Sequence, residues 1–440
     1  MNMSLFFFFF ILKKINKIFI QLFFKILLFM NLINLFFMLN FQMNFWNWIY
    51  YDLAIDMYSF GLISLSLWIF ILMMMVSNNF FSMKNYLYFM FLMNFMLILV
   101  ILCFSTMNLL IFYMAFESSL LPVFFLILGW GHQPERVTAA FHMLMYTLFG
   151  SLPLLFMIVY IYFSENTNMM NLIYIDEMNY FMFMSLTLGF FMKMPMYFFH
   201  LWLPKAHVES PIMGSMILAG VMLKLGSYGL LRTIFMIQEV WIGQNFIYVI
   251  YCLMSAIILS LICLCQNDMK MLVAYSSVVH MGILMSGMLT LNNWGISGSY
   301  LMMIAHGLVS SGMFCLVNLM YERFKSRSMF INKGLINMFP SLTLLWFLIC
   351  SSNLSFPPSL NLFSEIMLFN SLIIYMKSLI LISMMVIFFS SCYNLFFYSY
   401  SQYGKNLNIY MFKNIKIMEF MLLLFHWIPL NFMFNWMYLF

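Results

Sequence analysis

Apolar runs of about twenty residues follow one another along nearly the whole chain, separated by short polar breaks, and each is long enough to cross a hydrocarbon layer as a helix. Such a chain folds in lipid. Of its 440 residues 65% are hydrophobic and only 7% charged, too few charges to cover a soluble domain. In lipid every backbone polar group must be satisfied within the segment, so the expected fold is all-α, a polytopic membrane protein of about 14 transmembrane helices. The apolar runs place spans near 57–77, 85–105, 107–129, 137–163, 180–203, 211–235, 243–265, 269–291, 297–321, 339–377 (interrupted), 378–401 and 411–434, with one or two more within 3–41.

The net charge of +6 is spread thinly over short loops, which excludes a nucleic-acid surface and leaves orientation as its use. From residue 77 onward one set of loops receives Lys84, Arg136, Lys205, Lys270, Arg323, Lys325, Arg327, Lys333, Lys405, Lys413 and Lys416; the other holds Arg232 and Lys377 with Asp176 and Glu177. The basic side is expected to stay where the chain is made. The seven cysteines lie mostly in apolar runs without CxxC or zinc-type spacing, and no Walker loop, GxGxxG or HExxH occurs, so no metal, cluster or nucleotide is expected in this chain. With 51 Met and 55 Phe against 9 Ala and 4 Arg, the composition follows AT-rich codons and points to an organellar gene. Lys13, Lys14 and Lys17 resemble a targeting stretch, but the N-terminus reads as membrane helix.

Against this background six ionisable residues stand inside apolar runs: Glu117, Lys193, Lys224, His280, His306 and Glu365. A charge at mid-membrane costs roughly 2.5–3.5 kcal/mol, so such residues face a bundle interior or a hydrated path. Glu117 and Lys193 can pair. Contact favours both charged forms and separation disfavours them, so relative movement would load or release a proton; the plainer alternative is a fixed ion pair between helices. Lys224, His280 and His306 are flanked by Ser and Gly, which leave room for water, and imidazole both donates and accepts. Glu365 reads as a terminal site or as a capping carboxylate. His200 and His207 read as a proton inlet or as interfacial anchors, and no role is assigned to His132, His142 or His426.

Two spans contain breaks beside these residues, at Pro195 after Lys193 and at Pro357 and Pro358 before Glu365. A shift of 159 positions, from Ala115 to Ala274, also aligns Ser118 with Ser277, Phe141 with Tyr300, Met143 with Met302 and Ser151 with Ser310. Five spans separate the breaks, an odd number that inverts topology. The expected organisation is N-terminal helices at 1–84, two inverted five-helix repeats at 85–235 and 243–401, each with a discontinuous helix, and a C-terminal helix at 402–440.

The segments FYMAFESSLLP, QPERVTAAFHMLMYTLFGSLPLL, KMPMYFFHLWLPKAHVESPIMGSMILAGVMLKLGSYGLLR, AYSSVVHMG, MIAHGLVSSGMFCLVNLMYERFKSR and PPSLNLFSE resemble the subunit 4 family of mitochondrial NADH:ubiquinone oxidoreductase, respiratory complex I, over roughly 105–370. HLWLPKAH with a following Pro, and YER before a basic loop, distinguish this family from the related subunits 2 and 5, which carry Lys at the place of Glu365. The resemblance implies an antiporter-like proton-pumping subunit of the mitochondrial inner membrane. It makes Glu117 and Lys193 the switching pair, Lys224 the bridging lysine, His280 and His306 the onward relay and Glu365 the acid of the second broken helix. It also implies partners among the other complex I subunits, especially subunits 2 and 5, besides membrane lipids. FMN, iron-sulfur clusters and ubiquinone are expected only in those other subunits. Read from the residues alone, a secondary cation/proton antiporter and a purely structural membrane subunit remain open.

Overall fold

The computed structural model describes residues 17–37, 46–77, 85–131, 133–173, 175, 179–237, 245–405 and 414–433. Lys13, Lys14, Lys84, His132, Asp176, Glu177 and Lys413 lie outside the described residues. The helices are α1 (Lys17–Phe37), α2 (Met57–Val76), α3 (Tyr86–Ser105), α4 (Leu109–Ser118), α5 (Leu120–Trp130), α6 (Arg136–Glu165), α7 (Tyr180–Lys193), α8 (Trp202–Glu209), α9 (Ile212–Met236), α10 (Asn245–Leu264), α11 (Met269–Met288), α12 (Asn293–Phe324), α13 (Pro340–Asn353), α14 (Leu360–Tyr375), α15 (Leu379–Gln402) and α16 (Ile417–Phe432). Among the described residues ten spans, counting α4 and α5 as one, are long and apolar enough to cross a membrane; α7, α14 and α16 are shorter. Among the described residues the one element outside the expected all-helical pattern is a small antiparallel hairpin of β1 (Asn47–Tyr50) and β2 (Leu53–Ile55) in the link before α2.

Burial runs inside out relative to a soluble protein. Along α6 the exposed side chains include Phe141, Met145, Phe149, Leu152, Phe156 and Phe163, an apolar face fit for lipid. The polar side chains turn inward or back on their own helix. Ser64, Ser277 and Ser310 return their hydroxyls to the carbonyls of Gly61, Ala274 and His306, the arrangement that satisfies a hydroxyl where no water is present.

The expected breaks occur where proline removes a backbone donor. α7 ends at Lys193, Met194–Phe198 is not helical, and a short 3-10 turn at Phe199–Leu201 leads into α8. The second span stops at Asn353 and resumes at Leu360, with Pro357 and Pro358 between the halves. Two further irregularities appear in spans read as continuous. Pro122 cannot donate to the carbonyl of Ser118, and the helix is interrupted at Ser119, two residues after Glu117. In α9 the turn Leu218–Met222 is a π turn, in which Leu223 N–H reaches back five residues to Leu218.

The chain divides into two compact units, Met1–Lys193 with Glu209–Ile237, and Met194–Val208 with Gln238–Phe440. In the first unit, α6 meets α7 where Gly150 and Gly189 face each other, and a Cβ on Gly189 would stand 3.1 Å from the Gly150 carbonyl. Small residues allow this backbone approach, which takes the place of a hydrophobic drive in lipid. In the second unit α12 packs against α11, α13, α14 and α16, and α15 against α10 and α13.

Candidate functional site

In the first unit Lys193 ends α7, where a cation complements the carbonyl end of the helix. Its ammonium donates to the carbonyl of Phe116 at 2.6 Å and lies 2.9 Å from the centroid of the Phe116 ring. That carbonyl also accepts from Ser119 Oγ at 2.8 Å. Glu117 is the next residue, half-buried, with its carboxylate toward Ser151 and the Lys193 charge. The two are neighbours, yet among the described residues the ion pairs are Asp56–Arg232, His280–Glu365 and Arg323–Glu419, and Glu117–Lys193 is not one of them. The lysine is engaged by a backbone dipole instead.

Lys224 is wholly buried two residues past the end of the π turn. Its ammonium donates to the carbonyl of Ala219, five residues back, at 2.6 Å. The widened turn brings side chain and carbonyl together at this spacing, and π turns gather at functional sites. Tyr228 and Arg232 follow Lys224 at intervals of four, so all three share one helix face. Tyr228 donates to the carbonyl of Phe104 at 2.9 Å. Arg232 pairs with Asp56, the N-cap of α2, at 2.5 Å, and its guanidinium lies 4.3 Å from the Trp46 ring and 4.8 Å from the Tyr228 ring.

In the second unit His280, His306 and Glu365 come together from α11, α12 and α14. The rings of His280 and His306 are 5.3 Å apart. His280 Nδ1 stands 3.5 Å from Glu365 Oε1, while Glu365 Oε2 accepts from Ser355 Oγ at 2.5 Å, a hydroxyl supplied by the break itself. Glu365 is not a cap: Ser359 occupies that position and the first turn of α14 holds no acid. On its other side His280 meets Tyr393 of α15, whose hydroxyl is 3.4 Å from Nε2. Asn353, the last residue of α13, donates to Asn394 Oδ1 at 2.6 Å, and Asn361 donates to Ser352 O at 3.2 Å across the break.

His200 and His207 are both buried. His200 stacks on Tyr197 with centroids 5.4 Å apart, and His207 lies flat on Phe314 at 4.5 Å. Arg327 donates to the carbonyl of Val208 at 3.0 Å, near the C-terminal end of α8. His426 returns Nδ1 to the Leu422 carbonyl at 2.8 Å.

Three features beside these residues were not singled out by sequence: Tyr393, Asp56 and the π turn. The hydroxyl of Tyr393 is one among 25 tyrosines, and only packing reveals its partner. Asp56 sits at a span end, where a carboxylate needs no special explanation.

Residues 106–392 match the transmembrane family described as NADH:quinone oxidoreductase/Mrp antiporter, and residues 1–105 match the amino-terminal family of NADH-ubiquinone oxidoreductase chain 4. The chain is 49% identical to NADH-ubiquinone oxidoreductase chain 4 of Ceratitis capitata over 90% of its length and 89% of that protein. It is 47% identical to the Aedes aegypti chain 4 over 87% and 86%. A chain from respiratory complex I of Thermus thermophilus shares the fold with a TM-score of 0.83 at 20% identity, covering 93% of this chain and 90% of that one. A chain of the Mrp complex from Dietzia sp. does so with a TM-score of 0.76 at 20% identity, covering 87% and 43%. By these matches the chain belongs to the NADH-ubiquinone oxidoreductase chain 4 family.

Proposed function

We propose that this chain is a proton-translocating subunit of the membrane arm of respiratory complex I, a multi-pass protein of the mitochondrial inner membrane. It moves protons from matrix to intermembrane space, driven by electron transfer from NADH to ubiquinone in other subunits. Those subunits are its partners, especially the antiporter-like subunits 2 and 5, and the FMN, iron-sulfur clusters and ubiquinone site belong to other subunits; this chain carries none.

One observation carries the reading. Lys193 and Lys224 are buried cations bonded to carbonyls rather than locked to carboxylates, unlike Arg232, which is paired to Asp56. A cation held by a neutral dipole can give up its proton without leaving a buried anion behind. Glu117 approaching Lys193 would stabilise the ammonium, and its withdrawal would favour proton transfer onward to Lys224. From there His280 and His306 relay the proton, and Glu365 receives it. Neutral imidazole suits this step because it accepts at one nitrogen while donating at the other. His200 and His207 serve as the inlet.

The test is Lys224→Met in the intact complex, reconstituted in liposomes, with NADH oxidation and lumenal acidification recorded together. Loss of acidification in a fully assembled complex is expected. Unchanged protons per NADH would overturn the proposal in favour of a structural role. The likeness to the Mrp complex chain supports a second reading, cation/proton exchange. It requires translocation to depend on sodium or potassium, and replacing both by choline tests it.

A further inference from the structure

We infer that Tyr393 is a positioning residue of the relay, fixing which nitrogen of His280 carries the proton; this rests on the function proposed above. His280 lies between two oxygen partners, with Glu365 Oε1 3.5 Å from Nδ1 and the Tyr393 hydroxyl 3.4 Å from Nε2. A neutral imidazole has one N–H and one lone pair, and the hydrogen bond at one nitrogen decides the form at the other. A phenol prefers to donate to a bare nitrogen, whereas a carboxylate can only accept. The two partners therefore agree on one tautomer: Tyr393 O–H donates to Nε2, and Nδ1–H points at Glu365. Glu365 is aligned from its far side by Ser355 Oγ at 2.5 Å, so the hydrogen bonds run in one sense from α15 to the break.

Protonation reverses only one end. When a proton reaches Nε2, the phenol oxygen becomes the acceptor, and the Nδ1 proton is already aimed at the carboxylate. Transfer from Nδ1 to Oε1 then leaves neutral imidazole with its proton on Nε2, and the starting tautomer returns when Nε2 gives up that proton and Nδ1 takes one up. Tyr393 biases that reset because its hydroxyl can donate only to an Nε2 that carries no proton. Among the described residues the other ionisable groups around this point are His306 on α12, 5.3 Å away ring to ring, and Cys263 on α10, near Tyr393.

Tyr393 is also held still. It is completely buried, and the adjacent Asn394 is tied to Asn353 at 2.6 Å, so α15 presents the hydroxyl from a braced position.

The experiment is Tyr393→Phe in the intact complex in liposomes, which keeps the ring and deletes the hydroxyl. The expected result is normal assembly and inhibitor-sensitive electron transfer, coupled proton translocation slowed about tenfold, the loss of one buried hydrogen bond to a reacting group, and a displaced pH profile of coupled turnover. Tyr393→His, which supplies a donor again, should recover part of the rate; Tyr393→Leu, which lacks both ring and donor, should not. If Tyr393→Phe assembles and pumps with the native rate and pH profile, the inference is wrong. Lys224→Met run in parallel separates the two claims: loss of pumping there with native behaviour in Tyr393→Phe sinks only the role of Tyr393, whereas native pumping in Lys224→Met sinks the relay itself.

Discussion

The buried pair between Asp56 and Arg232 makes a prediction in which the two partners are unequal. Their side chains are 7% and 8% exposed, and they join α2 to α9 across 176 positions of sequence. Replacing Arg232 by Met leaves the Asp56 carboxylate with the Ser59 amide, 2.9 Å from Oδ1, and no cation. An orphaned buried charge of this kind costs about 3–5 kcal/mol. Replacing Asp56 by Asn leaves the guanidinium over Trp46 and Tyr228, with Tyr58 5.9 Å away. Cation–π attraction returns about 1–2 kcal/mol, and Asn still caps α2, so this change should cost only about 2–3 kcal/mol. The double variant removes both charges and should fall below Arg232→Met alone. The assay is the thermal midpoint and assembled fraction of the intact complex for both single variants and the double. An Asp56→Asn complex no more stable than Arg232→Met, or additive single effects, would refute the reasoning.

Other consequences are as specific. A Cβ at Gly229 would run into the Phe190 ring and stand 2.9 Å from Phe112 Cζ, so Gly229→Ala should lower complex stability by about 1–3 kcal/mol. Gly129 has nothing within 4 Å of its Cβ position, and Gly129→Ala should assemble as the native chain does. Asn394→Ala strands the buried Asn353 amide and should destabilise by about 1–3 kcal/mol on heating, with Asn353→Ala/Asn394→Ala recovering part of it.

Sequence exposed most of the fold because in lipid it is written in run length: α2, α3, α11 and α15 fall within a few residues of the expected spans, and both proline interruptions lie where a missing N–H predicts them. Glu117, Lys193, Lys224, His280, His306 and Glu365 were legible for a related reason, that a charge inside an apolar run needs a cause. What stayed hidden had no such cost signal. The π turn is spelled LAGVM, which an α-helix would accept equally well. Asp56 and Arg232 look ordinary at span ends and acquire meaning only when folding brings them together. That Lys193 bonds the Phe116 carbonyl is likewise a matter of geometry, since the same residues would spell an ion pair with Glu117.

The wide turn in α9 bears on how this span tolerates a change of length. Between Leu218 and Met222 it holds one residue more than an ordinary α turn. Losing a residue inside it would close it to an ordinary turn and leave the flanking faces in place. Losing one ahead of it would rotate everything beyond by about 100° around the axis and swing the Lys224 amine to a different quadrant.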